Sequence, residues 1–126
     1  MTNPLAFDQG GPRLAIGHTD SGGEQVQRWL PESRVVKAFN TIGNPFMFRP
    51  DFPDGPPDMF ICGNDESAKE MVGGICRDFG WSVVDVGGIE GARLLEPVCM
   101  LWLAIMFCQP HDQSGAHGVA FKLLRK

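Results

Sequence analysis

The sequence predicts an α/β layered fold with a largely parallel sheet flanked by helices, and three observations carry that prediction. Apolar runs of strand length recur in "RVVKAF", "DMFICG" and "WSVVDVGG", nearly continuous as in strands covered on both faces. Segments of helical period lie before, between and after them, an alternation that builds parallel sheets. The chain has 126 residues, 43% of them hydrophobic, which fits one domain over residues 1–126 with a buried core of its own.

In chain order, "SGGEQVQRWLP" sets Ser21 three residues before Glu24, a capping box that satisfies free amides at a helix start. Pro31 closes that helix. "RVVKAF" is a strand ending in the small polar loop "NTIGN". "NPFMFRPDFPDGPP", Asn44 to Pro57, holds five prolines and is a long irregular connection, either a functional flap or a wrapping loop. After the strand "DMFICG", Ala68, Met71, Val72, Ile75, Cys76 and Phe79 recur at spacings of 3 and 4, which predicts an amphipathic helix capped by Gly80. Its Gly73-Gly74 pair implies that another backbone packs closely there.

"WSVVDVGG" is the third strand. "IEGARLLEPVCMLWLAIMF" is helical in its second part, with Pro97 expected in the first turn. Residues 98–107 are apolar all round, so the helix should be buried on several sides, a second subunit being one way to cover it. That run is too short by itself to cross a bilayer. The tail "VAFKLLRK" is amphipathic, and Lys122, Arg125 and Lys126 read as a solvated helix end.

A formal charge of −4 gives no reason to expect nucleic-acid binding. Cys62, Cys76, Cys99 and Cys108 each sit in an apolar run with no CxxC pair, which reads as buried reduced thiols of a cytosolic protein. The opening "MTNPLAFDQGG" lacks the basic start and apolar core of a signal peptide. A cytoplasmic protein without membrane contact is the expectation.

Several patterns could carry chemistry. "GHTDSGGE", Gly17 to Glu24, has the GxxxxG spacing of a phosphate loop, yet Gly23 and Glu24 stand where its lysine and hydroxyl should be. A tight turn leading into a capped helix is preferred. Cys108, His111, Asp112 and His117 match no common closed metal site, so no metal is expected. Arg93 and Glu96, three apart, read as a local ion pair or a subunit contact. No GxGxxG occurs anywhere, although the rest reads as the second half of a Rossmann-like NAD(P)-binding domain. No serine or cysteine has a visible base partner.

Taken in order, "TNPL", "GHTDSGGEQVQRWLP", "VVKAFNTIG", "MFICGNDESAK", "DFGWSVVDVGGIEGARLLEP" and "FKLL" resemble the NADPH-dependent oxidoreductases of the 8-hydroxy-5-deazaflavin type. The resemblance covers nearly the whole chain, with "KAFNT" and "ARLLEP" its most specific parts. It implies the C-terminal portion of such a protein, lacking the N-terminal GxGxxG segment. It implies hydride transfer between NADP(H) and a deazaflavin or flavin-like acceptor, with Asn40, Thr41 and Ile42 lining the nicotinamide and Asn3 and Pro4 contributing from the preceding strand end. Arg93, Leu94, Leu95 and Glu96 are implied on the substrate side or at a dimer seam. No catalytic acid or base is named, because the two cofactor rings carry the chemistry and the protein aligns them. The partners implied are the small-molecule cofactor and substrate and a second copy in a homodimer. The alternative is a non-catalytic α/β module, kept for binding or dimerisation.

Overall fold

A computed structural model describes residues 2–108 and 118–126. The chain opens with a hairpin of β1 (Leu5–Asp8) and β2 (Gly11–Leu14). Helix α1 (Gly22–Trp29) follows, then the short strand β3 (Val36–Lys37). Next come β4 (Asp58–Gly63), helix α2 (Glu66–Asp78) and β5 (Ser82–Asp85). A 3-10 turn at Ile89–Gly91 leads into the long helix α3 (Ala92–Cys108).

The α/β class holds, but the sheet is mixed rather than mostly parallel. Its order is β3-β4-β5; β4 and β5 are parallel from Asp58 opposite Ser82 to Ile61 opposite Asp85. β3 runs antiparallel to β4, with Val36 opposite Gly63 and Lys37 opposite Cys62. A parallel partner would need a crossover, usually helical. The five prolines of the β3–β4 connection deny it a helix longer than the 3-10 turn at Asn44–Phe46. That connection wraps the core: Phe46, Met47 and Phe52 pack on it, and Trp81 Nε1 donates to the Met47 carbonyl at 2.9 Å.

β3 is also shorter than its apolar run because Phe39 turns the chain at φ 54°, a left-handed conformation that costs a bulky residue roughly 1–3 kcal/mol. The Phe39 amide donates to Met59 Sδ at 3.1 Å. The hairpin β1-β2 has no counterpart in the strands read from the sequence.

Both caps of the first two helices follow their sequence. The Glu24 amide donates to Ser21 Oγ and the Ala68 amide to Asp65 Oδ1; Gly80 sits at φ 95° after α2. The apolar face of α2 is buried only in part: Val72, Cys76 and Phe79 pack on the core as their spacing predicts. Lys69, Gly73 and Cys76 face inward while Met71 and Ile75 are exposed, since the Lys69 ammonium reaches Asp85 and Glu66. No backbone approaches the glycine pair: a side chain on Gly74 would meet nothing within 4 Å.

Pro97 lies in the second turn of α3, not the first. The helix is buried through Ala92, Leu95, Glu96 and Cys99, whereas Leu101 and Phe107 are exposed; its second half is not enclosed by the described residues. Although the run 98–107 is too short by itself, the helical stretch Ile89–Cys108 around it, 20 residues, is by length and composition alone long and apolar enough to cross a membrane. Within it, Arg93 and Glu96 are tied to α1 and β3. Cys108 is exposed, unlike the other three cysteines. The tail is not helical: Lys122 Nζ donates to the Asp54 and Pro56 carbonyls. His111, Asp112 and His117 lie outside the described residues.

Candidate functional site

The polar cluster is assembled where β3 ends, and the turn at Phe39 aims it. Past that turn Asn40 and Thr41 are buried, and Ile42 enters the core cluster of Ala38, Met59, Ile61, Cys76 and Trp81. Asn40 Nδ2 donates to the Leu95 carbonyl at 2.7 Å and to Asn3 Oδ1 at 3.2 Å. Asn3 answers with Nδ2 donating to the Asn40 carbonyl and to Cys99 Sγ, both at 3.1 Å. Burial pushes the Cys99 thiol up, so the sulfur stays protonated and acts as a weak acceptor rather than a nucleophile. Asn40 Oδ1 is buried and has no partner; a buried acceptor of this kind is met by a water or by a donor from a ligand.

Asn3 and Pro4 also line an apolar cavity of about 240 Å³ whose other walls include Ile16, Val26 and Trp29. The phosphate-loop spacing at Gly17–Glu24 resolves as the preferred turn and capped helix, and its anion position is filled from within. The Gly22 and Gly23 amides each donate to a Glu96 carboxylate oxygen at 3.0 Å, and Lys37 Nζ lies 2.9 Å from Glu96 Oε1.

The structure therefore joins Asn3, Asn40 and Leu95 directly and seats Thr41 and Ile42 behind them. It gives the four residues Arg93 to Glu96 different roles. Glu96 is 1% exposed with both oxygens committed. Arg93 and Glu96 do not pair with each other: Arg93 Nε donates to Glu24 Oε2 at 2.8 Å, because α1 rather than the next turn of α3 presents the nearer carboxylate. Leu94 points outward and Leu95 offers its carbonyl to Asn40.

Lys37 and Glu24 were missed as members of this cluster. The signal for Lys37 was present, a single cation inside the apolar run "VVKAF" that has to find a buried partner. Nothing in the sequence pointed to Cys99 as a neighbour of Asn3. An open trough of about 470 Å³ lies elsewhere, along α2 and β5 beside Lys69, Arg77 and Asp85, and holds none of these residues. Among the described residues no group of three His, Cys, Asp or Glu gathers to hold a metal.

A mixed sheet layered by helices, with paired amides past the end of β3, defines an α/β protein; because β3 is antiparallel, that cluster lies toward the amino half of β4 rather than at the carboxyl ends of β4 and β5. Its relatives narrow the class: the chain is homologous to the F420-dependent NADP reductases, a family of NADP-dependent oxidoreductases. It is 33% identical over 94 residues to the F420-dependent NADP reductase of Methanocaldococcus jannaschii, covering 74% of this chain and 42% of that protein. It is 32% identical over 83 residues to the metalloreductase STEAP3 of Rattus norvegicus, 66% of this chain and 17% of that one. A crystal structure assigned provisionally as an F420-dependent NADP-reductase, from Arthrobacter sp. FB24, superposes with a TM-score of 0.87 at 36% identity, over 98% of this chain and 55% of that one. The hypothetical protein SMa0349 of Sinorhizobium meliloti gives a TM-score of 0.57 at 31% identity, over 69% of this chain and 42% of that one. No protein-family model matches. The chain spans about half, or less, of the length of each relative.

Proposed function

We propose that this chain forms the nicotinamide side of an NADP(H)-dependent hydride-transfer site, with F420 or another flavin-like ring as acceptor, in the cytoplasm. The observation that carries the reading is the unpartnered Asn40 Oδ1 in a buried amide pair at a strand end. A carboxamide N–H is a donor of the right kind for it, Thr41 follows it as a second buried polar residue, and the apolar cavity lined by Asn3 and Pro4 opens nearby. The nicotinamide end of the cofactor thus fits these residues. When bound, that cofactor supplies the hydride; Asn3, Pro4, Asn40, Thr41 and Ile42 would orient its ring and exclude water. No side chain here need give or take a proton, and Arg93, Leu95 and Glu96 act by fixing α3 behind the site rather than by touching substrate.

The pyrophosphate end does not fit. No GxGxxG is present, and the start of α1 beside the cluster already holds the Glu96 carboxylate. Anchoring of the phosphates must come from other residues than these. Titration of NADPH against the fluorescence of Trp29, Trp81 and Trp102 should therefore show no saturation at micromolar cofactor, and a saturating curve there would overturn this division of labour. At millimolar NADPH, saturation transfer from protein to ligand should favour the nicotinamide protons over the adenine protons and weaken in Asn40→Ala. Equal transfer to both rings would sink the nicotinamide assignment.

A second reading, a non-catalytic module kept for association, is favoured by one observation. From Val98 to Cys108 α3 carries no charged side chain, and it exposes Leu101 and Phe107. Both readings share a homodimer through that face.

A further inference from the structure

We infer that Glu96, neutralised by Lys37, is an internal anion that positions the Asn3–Asn40 amide pair. Its value for hydride transfer rests on the nicotinamide reading above, but the arrangement itself does not. Lys37 and Glu96 are 4% and 1% exposed, and they connect every segment that meets at the cluster. The Lys37 ammonium lies 2.9 Å from Glu96 Oε1 and also donates to the Thr2 carbonyl, next to Asn3. The Glu96 carboxylate takes the Gly22 and Gly23 amides, at the start of α1. Glu96 follows Leu95, whose carbonyl holds the Asn40 amide.

The chemistry explains why the anion has to be internal. The first amides of α1 have no partner within the helix and carry partial positive charge. With the Lys37 ammonium they form a donor set that would be costly to bury empty. Gly22 leaves room for the carboxylate, since a side chain on it would come within 3.2 Å of Glu96 Oε1. Gly23 allows the close approach, since a side chain there would lie 2.8 Å from the Ala92 Cβ. One carboxylate thereby fixes the height of α3 against α1 and β3. The Leu95 carbonyl is carried to the Asn40 amide as a result. Glu96 touches no reacting atom in this arrangement and is a positioning residue.

The test is chemical rescue of the full chain. Glu96→Ala should lower the melting temperature by about 10 °C or more. Formate, which fits the vacated space and brings back a carboxylate, should recover at least half of that loss; chloride at equal ionic strength should not. The side-chain amide resonances of Asn3 and Asn40 report position directly. In Glu96→Ala they should move toward the values of free asparagine, and formate should return them. Glu96→Gln keeps shape and one acceptor, so it should fold with a smaller loss and an intermediate shift of the same resonances, which serves if the alanine variant does not fold. Lys69→Met breaks a separate ion pair with Asp85 and should lower stability while leaving both amide signals in place. Amide signals unmoved in both folded Glu96 variants, or a loss that chloride repairs as well as formate, would overturn the positioning role. Signals that respond as expected while NADPH shows no nicotinamide preference would leave this inference standing and remove only the nicotinamide reading.

Discussion

Asn40 is held as a donor, and that fixes what can replace it. Both of its N–H groups point at oxygens, the Leu95 carbonyl and Asn3 Oδ1, so the orientation of the amide is set by its neighbours. Asn40→Asp turns the donor group into a third oxygen facing those two and buries a charge with no cation in contact. It should cost about 3 kcal/mol or more, read as a lower urea midpoint at unchanged slope. A variant as stable as the parent would mean that the Asn3–Asn40–Leu95 contacts do not hold the loop. The sequence exposed the polar loop "NTIGN" at a strand end, but not this wiring. Asparagine after a strand ordinarily bonds its own backbone, and only the left-handed turn at Phe39 sends it inward instead.

At the scale of elements, glycines separate close approach from open space. Gly23 faces the Ala92 Cβ at 2.8 Å, and Gly74 faces nothing within 4 Å. Gly23→Ala should destabilise by about 1–3 kcal/mol through overpacking of α1 on α3. Gly74→Ala, in an open helical position, should stabilise by about 0.5–1 kcal/mol. Thermal melts of both variants check the pair, and the reverse order would contradict how the helices are seated.

The α1–α3 contact has an acid signature as well. The Arg93 hydrogen bond holds the Glu24 carboxyl below its ordinary value of 4.5, and the Arg28 hydrogen bond brings Asp20 down to about 2. Groups whose folded pKa is depressed contribute fully above their ordinary value and lose that contribution as pH falls through the folded one. Melting temperature should therefore decline from about pH 4.5 downward, and less steeply in Arg93→Met than in the parent.

Helix and strand identities were legible because their periods are strong: β4, α2 and β5 lie where their apolar spacing put them, and Ser21 caps α1 as its spacing with Glu24 required. The direction of β3 was missed although its signal was present: a connection with five prolines cannot form the helical crossover that a parallel partner needs. The inward face of α2 was legible at Val72, Cys76 and Phe79 but not at Lys69, which turns inward to meet Asp85. The site split in the same way. Asn40, Thr41, Asn3 and Leu95 were reachable from strand-end position and family resemblance. Lys37, Glu24 and Cys99 belong to it only through contacts spanning tens of residues.

For the whole molecule, the unresolved balance lies in α3. Its first turns are locked by Leu95, Glu96 and Cys99, while its second half presents Leu101 and Phe107 outward on a helix of 17 residues, about 25 Å long. No charge lies between Val98 and Cys108, so two such faces can meet without desolvating an ion, and an identical partner is complementary under a twofold axis. Trp102 is already engaged, its Nε1 donating to the Val119 carbonyl at 2.8 Å; the exposed face left for a partner is the broad arc of Leu101, Ala104, Phe107 and Cys108. The expected outcome is a dimer by light scattering that dissociates on dilution. Leu101→Lys with Phe107→Lys should shift it to monomer without lowering the unfolding free energy of the monomer by more than about 1 kcal/mol, as befits exposed positions. A parent chain that scatters as a monomer at every concentration would remove the dimer from both functional readings, and a double variant that unfolds would show instead that this half of α3 belongs to the core.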